Sequence, residues 1–129
     1  MTSPIEWNSG FDKLIGPYQL TETESGVELT LTLEDKHMNP LGITHGGLLL
    51  TLIDDVMGAA AMKAVALRPA VTIELSTQFL GASKVGETLK AQGVVSKITK
   101  HLVFVTGKIN VDDKLILTAS GIWKIIQPR

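Results

Sequence analysis

The run GGLLLTLIDDVMGAAAMKAVA, residues 46–66, restricts the possible folds of this chain more than any other part of it. Leu, Ala and Met dominate it, Gly58 is its one interior glycine, and Arg68-Pro69 ends it, so it predicts the only long helix. Apolar residues lie nearly all round the segment instead of along one stripe, and such a helix must be enclosed by other structure. Strands are available to enclose it. In GVELTLTLE, Val27, Leu29, Leu31 and Leu33 alternate with Glu28, Thr30, Thr32 and Glu34, the period of a half-buried strand. After Pro69 come AVTIELSTQFL, ETLKAQGVVSKI, HLVFVTGKINV and KLILTASGIWKII, separated by GASKVG, TK and DD. The last two connections suit antiparallel hairpins, with Asp112-Asp113 as turn residues. Regular alternation in AVTIELSTQFL sets Val71, Ile73, Leu75 and Phe79 on one face and Thr72 on the other. The fold class is therefore α+β: one long central helix wrapped by a curled antiparallel sheet. One small sheet covers a helix incompletely, so pairing of two copies side by side is expected.

At 129 residues, 44% hydrophobic and 19% charged, the chain suits one globular domain over residues 1–129, opened by a short segment at residues 1–15. A net charge of −1 argues against a dedicated nucleic-acid binder. The charge is uneven, however: residues 1–83 carry four Lys/Arg against ten Asp/Glu, and residues 84–129 carry eight against three. A basic half of this kind can bind a polyanionic small molecule. The chain has no cysteine, which removes disulfides, thiol nucleophiles and thiolate metal sites. Its first residues, MTSPIEWNSGFDKL, hold neither the basic stretch nor the apolar core of an export signal. Adjacent aspartates interrupt the one long apolar run, so a cytoplasmic protein with no membrane span is the expectation.

Candidate chemistry gathers at the two breaks in the helix pattern. His45-Gly46-Gly47 stands where the helix begins, and its first N–H groups have no partners within the helix. Glycine admits another group close to that backbone, and donors at the positive end of a helix dipole can polarise a carbonyl. A tight turn with close packing is the plain alternative. Asp54 and Asp55 form the second break. Neighbours on a helix point about 100° apart, so the two face different surroundings. An unpaired carboxylate in so apolar a helix costs on the order of several kcal/mol. A general base or nucleophile, or a buried salt bridge with a lysine, accounts for one equally well. His37, His45 and His101 lack HxH or HxxxH spacing, so no metal site is indicated. Neither GxSxG nor a Walker-type glycine loop occurs.

In combination, NPLGITHGGLLLTLIDD, an enclosed helix, and TIELSTQFLGASKVGETL resemble the hotdog-fold acyl-CoA thioesterases of the phenylacetic-acid-degradation (PaaI) type, over roughly residues 35–127. The resemblance rests on N-P-x-G-x-x-H-G-G with an aspartate nine residues after the histidine. It implies Asp54 as the catalytic carboxylate, acting as general base or nucleophile, and a structural or solvent-facing Asp55. It further implies Gly46 N–H at the thioester carbonyl, Asn39 orienting water or thioester, His45 orienting the loop or substrate, and Thr72 positioning the nucleophilic water. In the family, Asn39 and Gly46 meet Asp54 and Thr72 of another subunit. Regular alternation would aim Thr72 away from the helix, so that role requires a bend or a partner subunit. Lys84, Lys100 and His101 are the candidates for the coenzyme A phosphates, and no separate cofactor is required because coenzyme A is part of the substrate. The expected protein is a cytoplasmic homo-oligomer, a dimer of dimers, hydrolysing an aryl- or medium-chain acyl-CoA, with no nucleic-acid or membrane partner. Leu50, Met57, Met62 and Phe79 are candidates for the acyl wall. The rivals are a hotdog dehydratase, whose separate histidine and acid motif is absent, and a non-catalytic acyl-CoA-binding or regulatory hotdog protein.

Overall fold

In the computed structural model, residues 7–126 are described. A single turn-and-a-half helix, α1 (Phe11–Ile15), leads into β1 (Gln19–Glu22) and β2 (Gly26–Thr32). A short 3-10 turn at Asp35–His37 and a loop precede the long helix α2 (Gly46–Ala64). Four strands follow: β3 (Ala70–Phe79), β4 (Thr88–Ile98), β5 (Leu102–Val111) and β6 (Lys114–Ile125). All pair antiparallel in one six-stranded sheet of order β1-β2-β4-β5-β6-β3, which curls round α2. None of the described helices is long and apolar enough to cross a membrane.

The periodicities explain most of this. Val27, Leu29, Leu31 and Leu33 are all buried, as the alternation in β2 requires. On α2, Leu52, Ile53, Val56, Met57 and Ala59 are fully buried against the sheet. The helix presses hardest where β4 and β5 pair Gly93 with Gly107. A Cβ at Gly93 would lie 2.8 Å from the Val56 carbonyl oxygen, so only glycine lets helix and sheet approach this closely. The helix stops at Ala64, two residues before the predicted end, because Ala66 and Leu67 turn into the left-handed region at φ 56° and 63°. Strand β1 is short and largely exposed, with no alternation to announce it.

Strand β3 departs from the regular alternation. Its pairing with β6 shifts between Thr72 and Glu74, a bulge that inserts Ile73. The bulge reverses the facing of residues on either side of it. Thr72 pairs with the buried Trp123 and faces α2, whereas Val71 and Ile73, expected inside, are 47% and 54% exposed. Beyond the bulge, Leu75 and Phe79 return to the helix side as expected. As a terminal strand of the sheet, β3 also leaves one edge without a strand partner among the described residues.

Candidate active site

The amino end of α2 is framed by two loops. Asn39 Oδ1 accepts from Leu41 N at 2.9 Å and from Ile43 N at 3.3 Å, which folds residues 39–43 into a tight loop. Both donors fix the amide orientation, leaving Nδ2 turned the other way with no acceptor among the described residues. Thr44 N donates to Ser83 O at 2.8 Å, and Ser83 Oγ donates to Thr44 Oγ1 at 2.7 Å, both side chains buried. These bonds join the loop to the turn after β3 and form a groove of about 340 Å³. Asn39, Gly46, Leu49, Phe79 and Gly81 line it.

His45 is the N-cap of α2, its Nδ1 accepting from Gly47 N at 2.8 Å. A neutral ring that accepts at Nδ1 carries its proton at Nε2. The two glycines therefore have separate reasons. A Cβ at Gly47 would press to 3.0 Å from His45 Nδ1, so a larger residue there crowds the cap. A Cβ at Gly46 would meet only the Phe79 ring, at an ordinary 3.5 Å, and nothing in the chain's own packing forbids one. The Gly46 N–H, first of the helix, has no acceptor among the described residues. His45 lies in a neighbouring groove with Phe11, Ile15 and Thr51 instead of with Asn39 and Gly46.

Two turns along α2, Asp54 and Asp55 diverge as helix geometry demands. Thr72 Oγ1 donates to Asp54 Oδ1 at 2.7 Å, so the bulge in β3 brings together two residues expected to cooperate. Asp54 lines an open groove of about 580 Å³ with Phe11, Asp12, Leu50, Thr51, Asp55 and Leu75. Asp55 turns towards α1 and the start of β1, where the Tyr18 hydroxyl donates to its Oδ2 at 3.4 Å. Burial is the main reason that its carboxyl is pushed up to about 8, with the hydrogen bond and charge of Asp12 and the charge of Asp54 adding to the rise; the Tyr18 hydrogen bond opposes it. The Tyr18 hydroxyl is raised as well, by burial first and by Asp55 second. The salt-bridge reading does not hold for the helix's own lysine: Lys63 Nζ donates to Thr23 O and Gly26 O at 2.8 and 3.0 Å.

One chain thus collects Asn39 with Gly46, and Asp54 with Thr72, but keeps the two pairs apart. Eight residues of helix between Gly46 and Asp54 span about 12 Å. The phosphate candidates divide in the same way. Lys84 follows Ser83 at the Asn39–Gly46 groove, whereas Lys100 and His101 sit on the β4–β5 hairpin near the start of β3. The eleven residues of β4 between them extend about 35 Å. Of the acyl-wall candidates, Leu50 lines the Asp54 groove and Phe79 the Gly46 groove, but Met57 and Met62 are buried in the core. The sequence reading missed Phe11, Asp12 and Tyr18, which reach the helix from far along the chain and carry no local motif.

A curled sheet around a buried helix, with a donor-rich amino end and a carboxylate two turns on, defines a hotdog domain. The profile of the thioesterase superfamily matches residues 41–117, and the chain belongs to that family of thioester hydrolases. A Pseudomonas aeruginosa protein, named for an inferred esterase activity, is 30% identical over 124 residues, 95% of this chain and 92% of that one. Human acyl-coenzyme A thioesterase 13 is 28% identical over 95 residues, covering 73% of this chain and 68% of the other. The structure of the Escherichia coli PaaI protein from the phenylacetic acid degradation operon superposes with a TM-score of 0.79 at 22% identity, covering 89% of this chain and 83% of that one. The PaaI-type fold expected from the motif is borne out.

Proposed function

We propose that this protein hydrolyses acyl-CoA thioesters with aryl or medium-chain acyl groups, at a site completed by a second copy of the chain. The observation that carries this reading is the Thr72–Asp54 hydrogen bond, which orients a carboxylate at an open groove on an otherwise buried helix. The thioester carbonyl needs a base and an oxyanion donor within a few ångströms of each other. Within one chain these groups lie about 12 Å apart along α2, so the donors come from the partner. The unpaired β3 edge, with Val71, Ile73, Phe79 and Leu80 exposed, favours such an association. The same pairing would set Lys84 of one copy towards Lys100 and His101 of the other, around one coenzyme A. A dimer of dimers in the cytoplasm is the assembly and setting this reading expects.

In the proposed reaction Asp54 takes a proton from water as the water oxygen bonds to the thioester carbon. Thr72 donates to Asp54 and keeps lone pairs to accept from that water. Gly46 N–H at the positive end of α2, with Asn39 Nδ2 beside it, stabilises the tetrahedral oxyanion. Collapse expels the thiolate of coenzyme A, a leaving group good enough to need little acid assistance. Direct attack by Asp54 to form an anhydride, then hydrolysed, uses the same atoms. His45 holds the helix start in register.

Asp54→Asn should lower kcat for hexanoyl-CoA by more than about a hundredfold, the scale of a lost general base, while folding and coenzyme A binding persist. Turnover close to wild type in that variant would refute the mechanism.

A further inference from the structure

The Asp54 groove is built partly by α1, which the proposed chemistry does not use. Residues 8–18 form a closed strap. Asn8 Nδ2 donates to Tyr18 O, and Tyr18 N donates to Asn8 Oδ1, each at 3.0 Å. The carboxyl end of α1 is tied to the 3-10 turn. Lys36 Nζ donates to Gly16 O at 2.7 Å, and the buried His37 donates from Nε2 to Ile15 O at 2.6 Å, its Nδ1 being occupied by Glu34 N–H. The first turn of α1 reaches α2 differently: Asp12 and Asp55 line one groove together, close enough for a protonated carboxyl of either to bond the other. The strap holds Phe11, 63% exposed, at the groove that Asp54, Leu50 and Leu75 also line.

We propose that the Asp12–Asp55 hydrogen bond seats α1 over this groove, and that Phe11 closes its acyl end and limits the length of acyl chain accepted. The acyl chain is the occupant because Phe11, Leu50 and Leu75 give an apolar side to the groove that Asp54 lines, where the thioester carbonyl reacts. This inference rests on the thioesterase reading and extends it to the acyl side of the site.

A hydrogen bond between two carboxyl groups requires one proton, because the pair cannot ionise fully in contact. The titratable groups facing Asp55 are Asp12 from α1, Asp54 from its own helix and Tyr18 ahead of β1, all of them acids. On β3 the one titratable residue, Glu74, accepts from Ser76 instead, and on α1 the remaining charge, Lys13, is exposed. Below the raised Asp55 value Asp55 keeps its proton and α1 is seated. Between the ordinary value of 3.8 and about 8, the folded state binds more protons than the unfolded one, so stability falls as pH rises through that interval. Above it Asp55 gives up its proton, and the bond that seats the first turn of α1 is lost.

Hexanoyl-CoA and dodecanoyl-CoA test the wall, in turnover by the intact protein and in equilibrium binding to the Asp54→Asn variant. Adding Phe11→Ala to each should raise the dodecanoyl-to-hexanoyl preference on the order of tenfold. An unchanged preference overturns Phe11 as the wall, as does a variant whose sole defect is weaker self-association in sedimentation. If the wild-type protein turns over neither thioester while the binding preference still shifts, the hydrolytic reading falls and the wall stands. Hydrogen exchange tests the seating. Corrected for intrinsic rates, exchange at the α1 amides should rise by about tenfold or more between about pH 6 and about pH 10 in the wild type. It should stay level in Asp55→Asn, whose amide can donate to Asp12 at every pH. Parallel curves for the two proteins would overturn the latch.

Discussion

A methyl group at Gly47 would crowd the imidazole that caps α2 at 3.0 Å, whereas one at Gly46 would rest against Phe79 at ordinary contact distance. Two adjacent glycines that read identically in the sequence are thus held by different requirements. Gly47→Ala should lower stability by about 1 kcal/mol, the worth of an N-cap, as measured by urea denaturation. Gly46→Ala should change stability by less than about 0.5 kcal/mol yet lower kcat/KM at least tenfold, because its methyl shields the N–H from the thioester. The reverse pattern would show that Gly46 serves packing alone. At this scale the motif around His45 was readable, since capping and helix polarity are local. The partner of Asp55 was not. Asp12 lies 43 positions earlier, and no local pattern encodes that encounter.

The elements were legible wherever one pattern governs a whole segment, apolar helix-forming composition in α2 and strict alternation in β2. They were illegible where a single residue breaks the register. Ile73 does this in β3, and one inserted residue moves Thr72 from the outer face to hydrogen-bonding distance of Asp54. The path of α2 over the sheet depends on a comparable local feature. It crosses the Gly93–Gly107 pair, where a Cβ at Gly93 would lie 2.8 Å from Val56 O and 3.0 Å from Met57 Cα. Gly93→Ala should therefore destabilise the protein by about 1–3 kcal/mol, the usual cost of overpacking, by urea denaturation. Backbone atoms form the obstacle, so side-chain rearrangement cannot relieve it. A neutral result would mean that the helix has room to lift from the sheet.

At the scale of the whole molecule, the order of strands leaves β3 at an edge with four large apolar side chains exposed on and just beyond it. The alternating pattern identified β3 as a strand, but its place in the sheet depends on pairings far apart in sequence. The fold also places the Gly46 and Asp54 grooves apart along α2, which under the proposed function gives each chain two unlike halves of a site. In the proposed two-fold pair, each complete centre would draw one half from each subunit. This arrangement permits complementation between defective proteins. Asp54→Asn and a Gly46→Val variant, each inactive alone, should regain activity when unfolded together and refolded as a mixture. Random pairing makes half of the dimers mixed, and each mixed dimer has one centre with both halves intact, so recovery should approach about a quarter of the wild-type rate. A mixture as inactive as its components would place both halves of each centre in a single chain. Complementation would instead make the inherited unit of activity the pair, with two broken copies sufficient to build one working centre.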